Sequence, residues 1–278
     1  MTAGSVDLTV FYSWQDDRPR SVCKHFIRDA AKAAVSRISR DVAVEDAPRL
    51  EHDTKAESGM PAIADTILSK IDGAGVFLGD LTLVGSSDCM QGQRPKGLPN
   101  PNVLVELGYA AKSIGWERIV CVSNAFYGDL EHQFFNIRHR RRPLVYTIGP
   151  DDGGEIGSIR DQLSRDIEQA VRLVLRAGHK RVTDILSKLD ADCQTFLQMH
   201  AALDVITPRP TSEFRLGAPA GDLDTPSYKR AVDQLRQLDV IRTQPDTVTH
   251  TVTFAWTYMG YLVLQALGLR QDMPTDAR

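Results

Sequence analysis

Gly75-Val-Phe-Leu-Gly79, closed by Asp80 and followed twenty residues later by Asn100-Pro-Asn-Val-Leu-Val-Glu-Leu-Gly-Tyr-Ala110, decides the fold. The first run is apolar, as a strand buried on both faces of a parallel sheet must be. The second opens with a helix-capping Asn100 and puts Pro101 at the first helical position, where a missing N–H costs nothing. Between them lies a loop over residues 82–99, with Gly85, Gly92, Pro95, Gly97 and Pro99. The same alternation of strand and helix recurs outward in both directions. Upstream, Leu8-Thr-Val-Phe-Tyr-Ser13 is β-rich, and Pro19 starts a helix to about residue 38 with Phe26, Ala30, Ala34 and Ile38 at helical spacing. Residues 42–45 read as a weak second strand, and Pro61 opens a helix carrying Ile63, Ile67, Leu68 and Ile71. Downstream, residues 118–122 and 144–148 read as the fourth and fifth strands, and 156–177 as a long amphipathic helix ended by Gly178. Strands separated by helices, with right-handed crossovers, predict an α/β, flavodoxin-like doubly wound five-stranded parallel sheet.

Beyond residue 180 the rhythm changes. Helix, helix, turn, strand and final helix predict a small winged-helix-like α+β domain over 181–278, after a first domain over 1–180. A length of 278 residues accommodates two such domains. Residues 247–269 contain no Asp, Glu, Lys or Arg. Their first half alternates apolar and polar, a strand pattern, and the second half is helical, so a strand and a buried helix account for them better than a membrane span. Their apolar surplus predicts packing on the domain itself and on a second chain, hence a homo-oligomer or a protein partner. From Ala201 on there are eight basic residues against nine acidic ones. DNA affinity comes largely from phosphate contacts, so nucleic acid is not expected as a partner. The whole chain carries a formal net charge of -3. Cys23, Cys89, Cys121 and Cys193 are isolated, with no zinc spacing, and no metal is expected. The opening MTAGSVDLTV lacks a basic n-region and an apolar h-region, so the expected location is cytoplasmic.

Ligands of open parallel sheets bind beyond the carboxyl ends of the strands, where the strand order reverses. Here that point falls between the first and third strands, and Tyr12, Ser13, Trp14, Gln15, Asp80 and Thr82 should line it. On the following helix Asn102, Glu106 and Tyr109 share one face, against Val103, Leu104, Leu107, Ala110 and Ala111 on the other. Glu106 then points either into the cleft or into solvent. A carboxylate in a partly dry cleft serves as nucleophile or cation stabiliser. Arg49, His52 and Asp53, on the loop after the second strand, are candidates for ribose or phosphate contacts. The basic run Arg138-His-Arg-Arg-Arg142 suits a pyrophosphate, a nucleic-acid phosphate or an acidic partner, or is simply solvated.

Four segments together carry a resemblance: Phe11-Tyr-Ser-Trp-Gln15, Arg49-Leu-Glu-His-Asp-Thr54, Gly79-Asp-Leu-Thr82 and Asn100-Pro-Asn-Val-Leu-Val-Glu-Leu-Gly108. Over residues 6–148 the chain resembles the bacterial TIR-like (Toll/interleukin-1 receptor-like) group. It is more loosely similar to nucleoside 2-deoxyribosyltransferases, whose glutamate also sits in an E-[LIV]-G-Y-A helix. The TIR-like resemblance implies cleavage of the nicotinamide–ribose bond of NAD, by hydrolysis or cyclisation, often in antiphage defence. It implies Glu106 as the catalytic carboxylate, and nucleotide contacts from Tyr12, Ser13 and Trp14, with NAD as substrate and no separate cofactor. Asn102 stands where the W-x-x-x-E pattern of many TIR enzymes has tryptophan. A deoxyribosyltransferase-like enzyme and a non-enzymatic nucleotide sensor or scaffold are the alternatives. A phosphoreceiver would need an acidic pair at the end of the first strand, where Tyr12-Ser13 stands, and a lysine ending the fifth.

Overall fold

The computed structural model describes residues 9–41, 49–51, 63–87, 96–128, 142–153, 155–203, 205–206, 225–245 and 252–270. The described residues up to Leu175 form one compact unit, and those from Arg176 on form a second.

The first unit is built on β1 (Thr9–Ser13), β2 (Arg49–Glu51), β3 (Val76–Asp80), β6 (Ile119–Asn124) and β7 (Leu144–Tyr146). These five strands lie side by side in the order β2-β1-β3-β6-β7, and every neighbouring pair is parallel. The helices of this unit are α1 (Lys24–Asp41), α2 (Ile63–Asp72), α3 (Pro101–Ser113) and the start of α4 (Ile156–Leu186). β3 is buried at all five positions, which is why it lacks polar alternation. On one face of the sheet Phe11, Phe77 and Leu81 pack with Ile71 of α2 and with Val103, Leu107 and Ala110 of α3. On the other face the Tyr12 hydroxyl donates to the Lys24 carbonyl of α1, and Phe26 of α1 stacks on Tyr146.

Several boundaries differ from the sequence expectation. The second strand begins at Arg49, whereas residues 42–45 lie outside the described residues, as does Pro61. The glycine- and proline-rich loop contains an antiparallel hairpin of β4 (Leu83–Ser86) and β5 (Gly97–Pro99). The helix expected to stop at Gly178 runs through it to Leu186. Gly178 has open space around it, so its cost in a helix, about 1 kcal/mol, is carried by the packing of both helix ends. Leu163, Ile167, Ala170 and Val171 are buried on the first side, and Val182 and Ile185 on the second.

The second unit combines the end of α4, α5 (Ala191–His200), α6 (Thr225–Gln237) and α7 (Tyr258–Ala266) with an antiparallel sheet. That sheet has the order β8-β10-β9, from β8 (Val205–Ile206), β10 (Val252–Trp256) and β9 (Ile241–Pro245). Its core gathers Phe196, Leu197, Leu235, Trp256, Met259 and Leu264. Of the expected apolar surplus of residues 247–269, Met259, Tyr261, Val263 and Leu264 of α7 are all buried, while Leu267 just beyond it is exposed. Among the described residues no helix is long and apolar enough to cross a membrane.

Candidate functional site

β1 ends at Ser13, and the parity of a strand decides what each residue faces. Phe11 and Ser13 lie on the α2/α3 side, Tyr12 on the α1 side. The Ser13 hydroxyl donates to a Glu106 carboxylate oxygen at 2.5 Å. α3 is aimed for this contact by its start: the Asn100 side chain accepts from the Asn102 and Val103 amides, and Pro101 occupies the first position. Glu106 is half-buried, and among the described residues Ser13 is its one hydrogen-bond donor. Burial pushes its carboxyl above the usual range, and the Ser13 bond pulls it part of the way back.

A loop follows Ser13 and is tied down three more times. Gln15 is buried; its amide nitrogen donates to Asp80 at 3.4 Å, and its oxygen accepts from the Arg18 amide at 2.9 Å. Asp17 accepts from the Asn100 side chain at 2.6 Å, linking this loop to the cap of α3. The Arg18 Nε donates to the Leu83 carbonyl at 2.8 Å, and its guanidinium lies over the Tyr127 ring at 4.5 Å. Trp14 is half-buried under Lys24, whose Nζ lies 2.9 Å from the ring centroid. Asp80, at the end of β3, is fully buried and accepts from the Thr82 amide at 2.9 Å. Burial raises its carboxyl to about 6, against the pull of the Thr82 and Gln15 bonds.

Side chains also replace ladder bonds where β6 and β7 end. Asn124 is buried and donates to the Ile148 carbonyl at 2.8 Å and the Val22 carbonyl at 3.2 Å. Its oxygen accepts from the Ile148 and Phe126 amides. The Thr82 hydroxyl accepts from the Asn124 amide at 3.0 Å.

The structure therefore joins Ser13 to Glu106, while Asp80, one position past the Gly79 that pairs with Ser13, lies on the Tyr12 side of the sheet, and buried Thr82 bonds it and the Asn124 amide. It does not bring every candidate together. Tyr12, 1% exposed, is a core aromatic on the α1 side with its hydroxyl on Lys24. Asn102 is exposed at the start of α3. Tyr109, about 10 Å further down the helix from Asn102, donates instead to Asp72 of α2 at 2.8 Å. Arg49 is not on a loop after the second strand: it opens β2 in register with Thr9, four residues from the rim along β1, about 13 Å. His52, Asp53 and the run up to Arg141 lie outside the described residues. Arg18, Asn124 and Tyr127 were not anticipated. The signal for Asn124 was present, a polar residue closing an apolar strand as Asp80 does. That for Arg18 lay in the charged run Asp16-Asp17-Arg18 directly beyond Ser13.

Among the described residues no three His, Cys, Asp or Glu side chains form a metal-binding group. Burial pushes the Cys23 thiol up to about 11 and the Cys121 thiol up to about 12, so neither is a thiolate nucleophile at neutral pH. Comparison with protein-family models, with curated proteins and with solved structures finds no match for the chain.

Proposed function

We propose that the first unit is a flavodoxin-like, TIR-like module that cleaves the nicotinamide–ribose bond of NAD, with Glu106 as the catalytic carboxylate. The observation that carries this reading is the half-buried Glu106 held by Ser13 at the carboxyl end of β1. Breaking the C1′–N bond sends the electron pair to the nicotinamide, which leaves neutral, and puts positive charge on the ribose ring. A desolvated carboxylate stabilises that charge more strongly than one in water. Water then forms the new bond at C1′ and gives its proton to the Glu106 carboxylate, which passes it to solvent; a nucleophile on the substrate itself forms the bond instead in cyclisation. Ser13 keeps one carboxylate oxygen fixed, so the other is free to face the ring.

The same carboxylate would serve deoxyribosyl transfer, and a nucleotide sensor would need only the binding half of the site. In this reading the second unit is a winged-helix-like interaction module for a protein partner or a second copy, and the protein acts in antiphage defence in the cytoplasm. Incubation of the full chain with NAD, products resolved by chromatography, is the test. The wild type should release nicotinamide, and Glu106→Gln should lower the rate at least about 100-fold, since Gln keeps the volume and removes the charge. Equal NAD loss by both proteins removes Glu106 from the chemistry. Exchange of bases on deoxynucleosides, with NAD untouched, assigns the site to deoxyribosyl transfer.

A further inference from the structure

We infer that Arg18 is the anion-recognising group of this site and takes a phosphoryl group of a nucleotide ligand. The inference deepens the NAD reading and in that respect rests on it, but its residues are distinct from Ser13 and Glu106.

Arginine side chains near a protein surface ordinarily pair with a carboxylate or extend into water. Arg18 does neither. It is half-buried, its Nε is spent on the Leu83 carbonyl, and its plane rests on the Tyr127 ring. Among the described residues no carboxylate lies within ion-pairing distance, and the two Nη groups donate to nothing. The adjacent acids are engaged elsewhere: Asp16 with Arg20 at 2.5 Å and Asp17 with Asn100 at 2.6 Å. The Tyr127 hydroxyl, shielded from solvent, also lacks a partner among the described residues. A fixed guanidinium with both terminal nitrogens open is the geometry that grips a phosphate in two-pronged fashion.

The backbone is fixed as well. Gln15 holds the Arg18 amide and is itself held by Asp80, so the guanidinium is preorganised from both ends. Arg18 stands five positions after Ser13, which limits their Cα separation to about 18 Å. The Asp17–Asn100 bond ties the Arg18 loop to the start of the helix that carries Glu106, so a nucleotide with its ribose at Glu106 extends its phosphoryl groups toward Arg18. A free nucleoside has nothing to place there, so Arg18 selects phosphorylated ligands over nucleosides.

Isothermal titration of the full chain at physiological salt tests this with ADP, adenosine and inorganic pyrophosphate. The wild type should bind ADP at least about 10-fold more tightly than adenosine, the range of one charged hydrogen-bonded contact. Arg18→Gln should abolish that preference. Arg18→Lys, which keeps the charge and loses the fork, should retain part of it, and Arg20→Gln should leave it intact. Thermal melts confirm that each variant is folded. Unchanged ADP binding by folded Arg18→Gln, or no ADP preference in the wild type, overturns the inference. Pyrophosphate bound as tightly as ADP overturns the assignment to a nucleotide. The two readings fail separately. NAD cleavage with an unchanged KM in Arg18→Gln removes the anion site and leaves the Glu106 reading. Arg18-dependent ADP binding without NAD cleavage does the reverse.

Discussion

Asp80 is a carboxyl group taken fully out of water, with the Thr82 amide and hydroxyl and a long contact from Gln15 to satisfy it. Its folded value of about 6 lies above the ordinary 3.8, so the folded chain keeps the proton longer than the unfolded one. The stability this adds is fully present below about pH 4 and is lost as pH rises to about 6. Two units of difference correspond to about 3 kcal/mol. Asp80→Asn cannot ionise, so it should lose less stability than the wild type between pH 4 and 6, as read from urea unfolding at each pH. Parallel curves for the two proteins would show that Asp80 does not titrate in this window. Near pH 7 the gain is partly offset, because an amide NH2 at this position faces the Gln15 NH2, and turning Gln15 round would release the Arg18 amide. The same residue explains one limit of the sequence reading. A polar side chain ending an apolar strand was legible as a site candidate, but its number of partners, which sets its charge, was not.

At the scale of elements, the second unit depends on a close approach between α7 and the start of β9. Thr257 caps α7, accepting from the Gly260 amide and donating to the Asp239 carbonyl, while its own amide donates to Val240. Asp239 adopts a positive φ of 59° to turn the chain there. A Cβ on Gly260 would stand 2.1 Å from the Val240 carbonyl oxygen, a backbone atom that cannot swing away. Gly260→Ala should therefore cost about 3 kcal/mol, seen as a lower melting temperature. Gly178→Ala, with open space around the new methyl, should instead stabilise α4 by up to about 1 kcal/mol. Similar melting of the two variants would refute the packing argument. Elements with strong end signals, β3 with Asp80 and α3 with Asn100 and Pro101, were legible from sequence. The strands β2 and β5 were not: the sequence pattern puts the second strand at residues 42–45, and β5 lies in a glycine- and proline-rich run with no strand signal. Tyr12 shows a subtler failure: Tyr12 and Ser13 were both assigned to the pocket, yet neighbours on a strand face opposite ways, and α3 claimed only Ser13.

Across the whole molecule, α4 is the element shared by both units. Between the buried Val171 and Val182 no residue of this helix is buried, and Arg172, Arg176, Lys180 and Arg181 all lie within that stretch. Helix held by packing only at its ends opens locally more readily than helix in a core. A chain ending at residue 178 keeps Leu163, Ile167, Ala170 and Val171, and so should keep the fold of the first unit. We expect circular dichroism to show a cooperative melt for that truncation. If the second unit mediates assembly, light scattering should also show a smaller species than the full chain gives. A monomeric full chain would remove the assembly role. Because α7 is consumed by its own core, Leu264→Ala should unfold the second unit rather than weaken any assembly.

The rim of the parallel sheet has one more property. The amides of Arg18, Thr82, Asn124, Phe126 and Ile148 are held by the side chains of Gln15, Asp80, Thr82 and Asn124 rather than by neighbouring strands. In deuterated solvent such protons are released when a side chain lets go, without separation of the strands. The centre of the sheet and its rim then run on different clocks. Isotope uptake at the rim records the breathing of four polar side chains, and occupation of Arg18 by an anion becomes visible as a slowing of that faster clock alone.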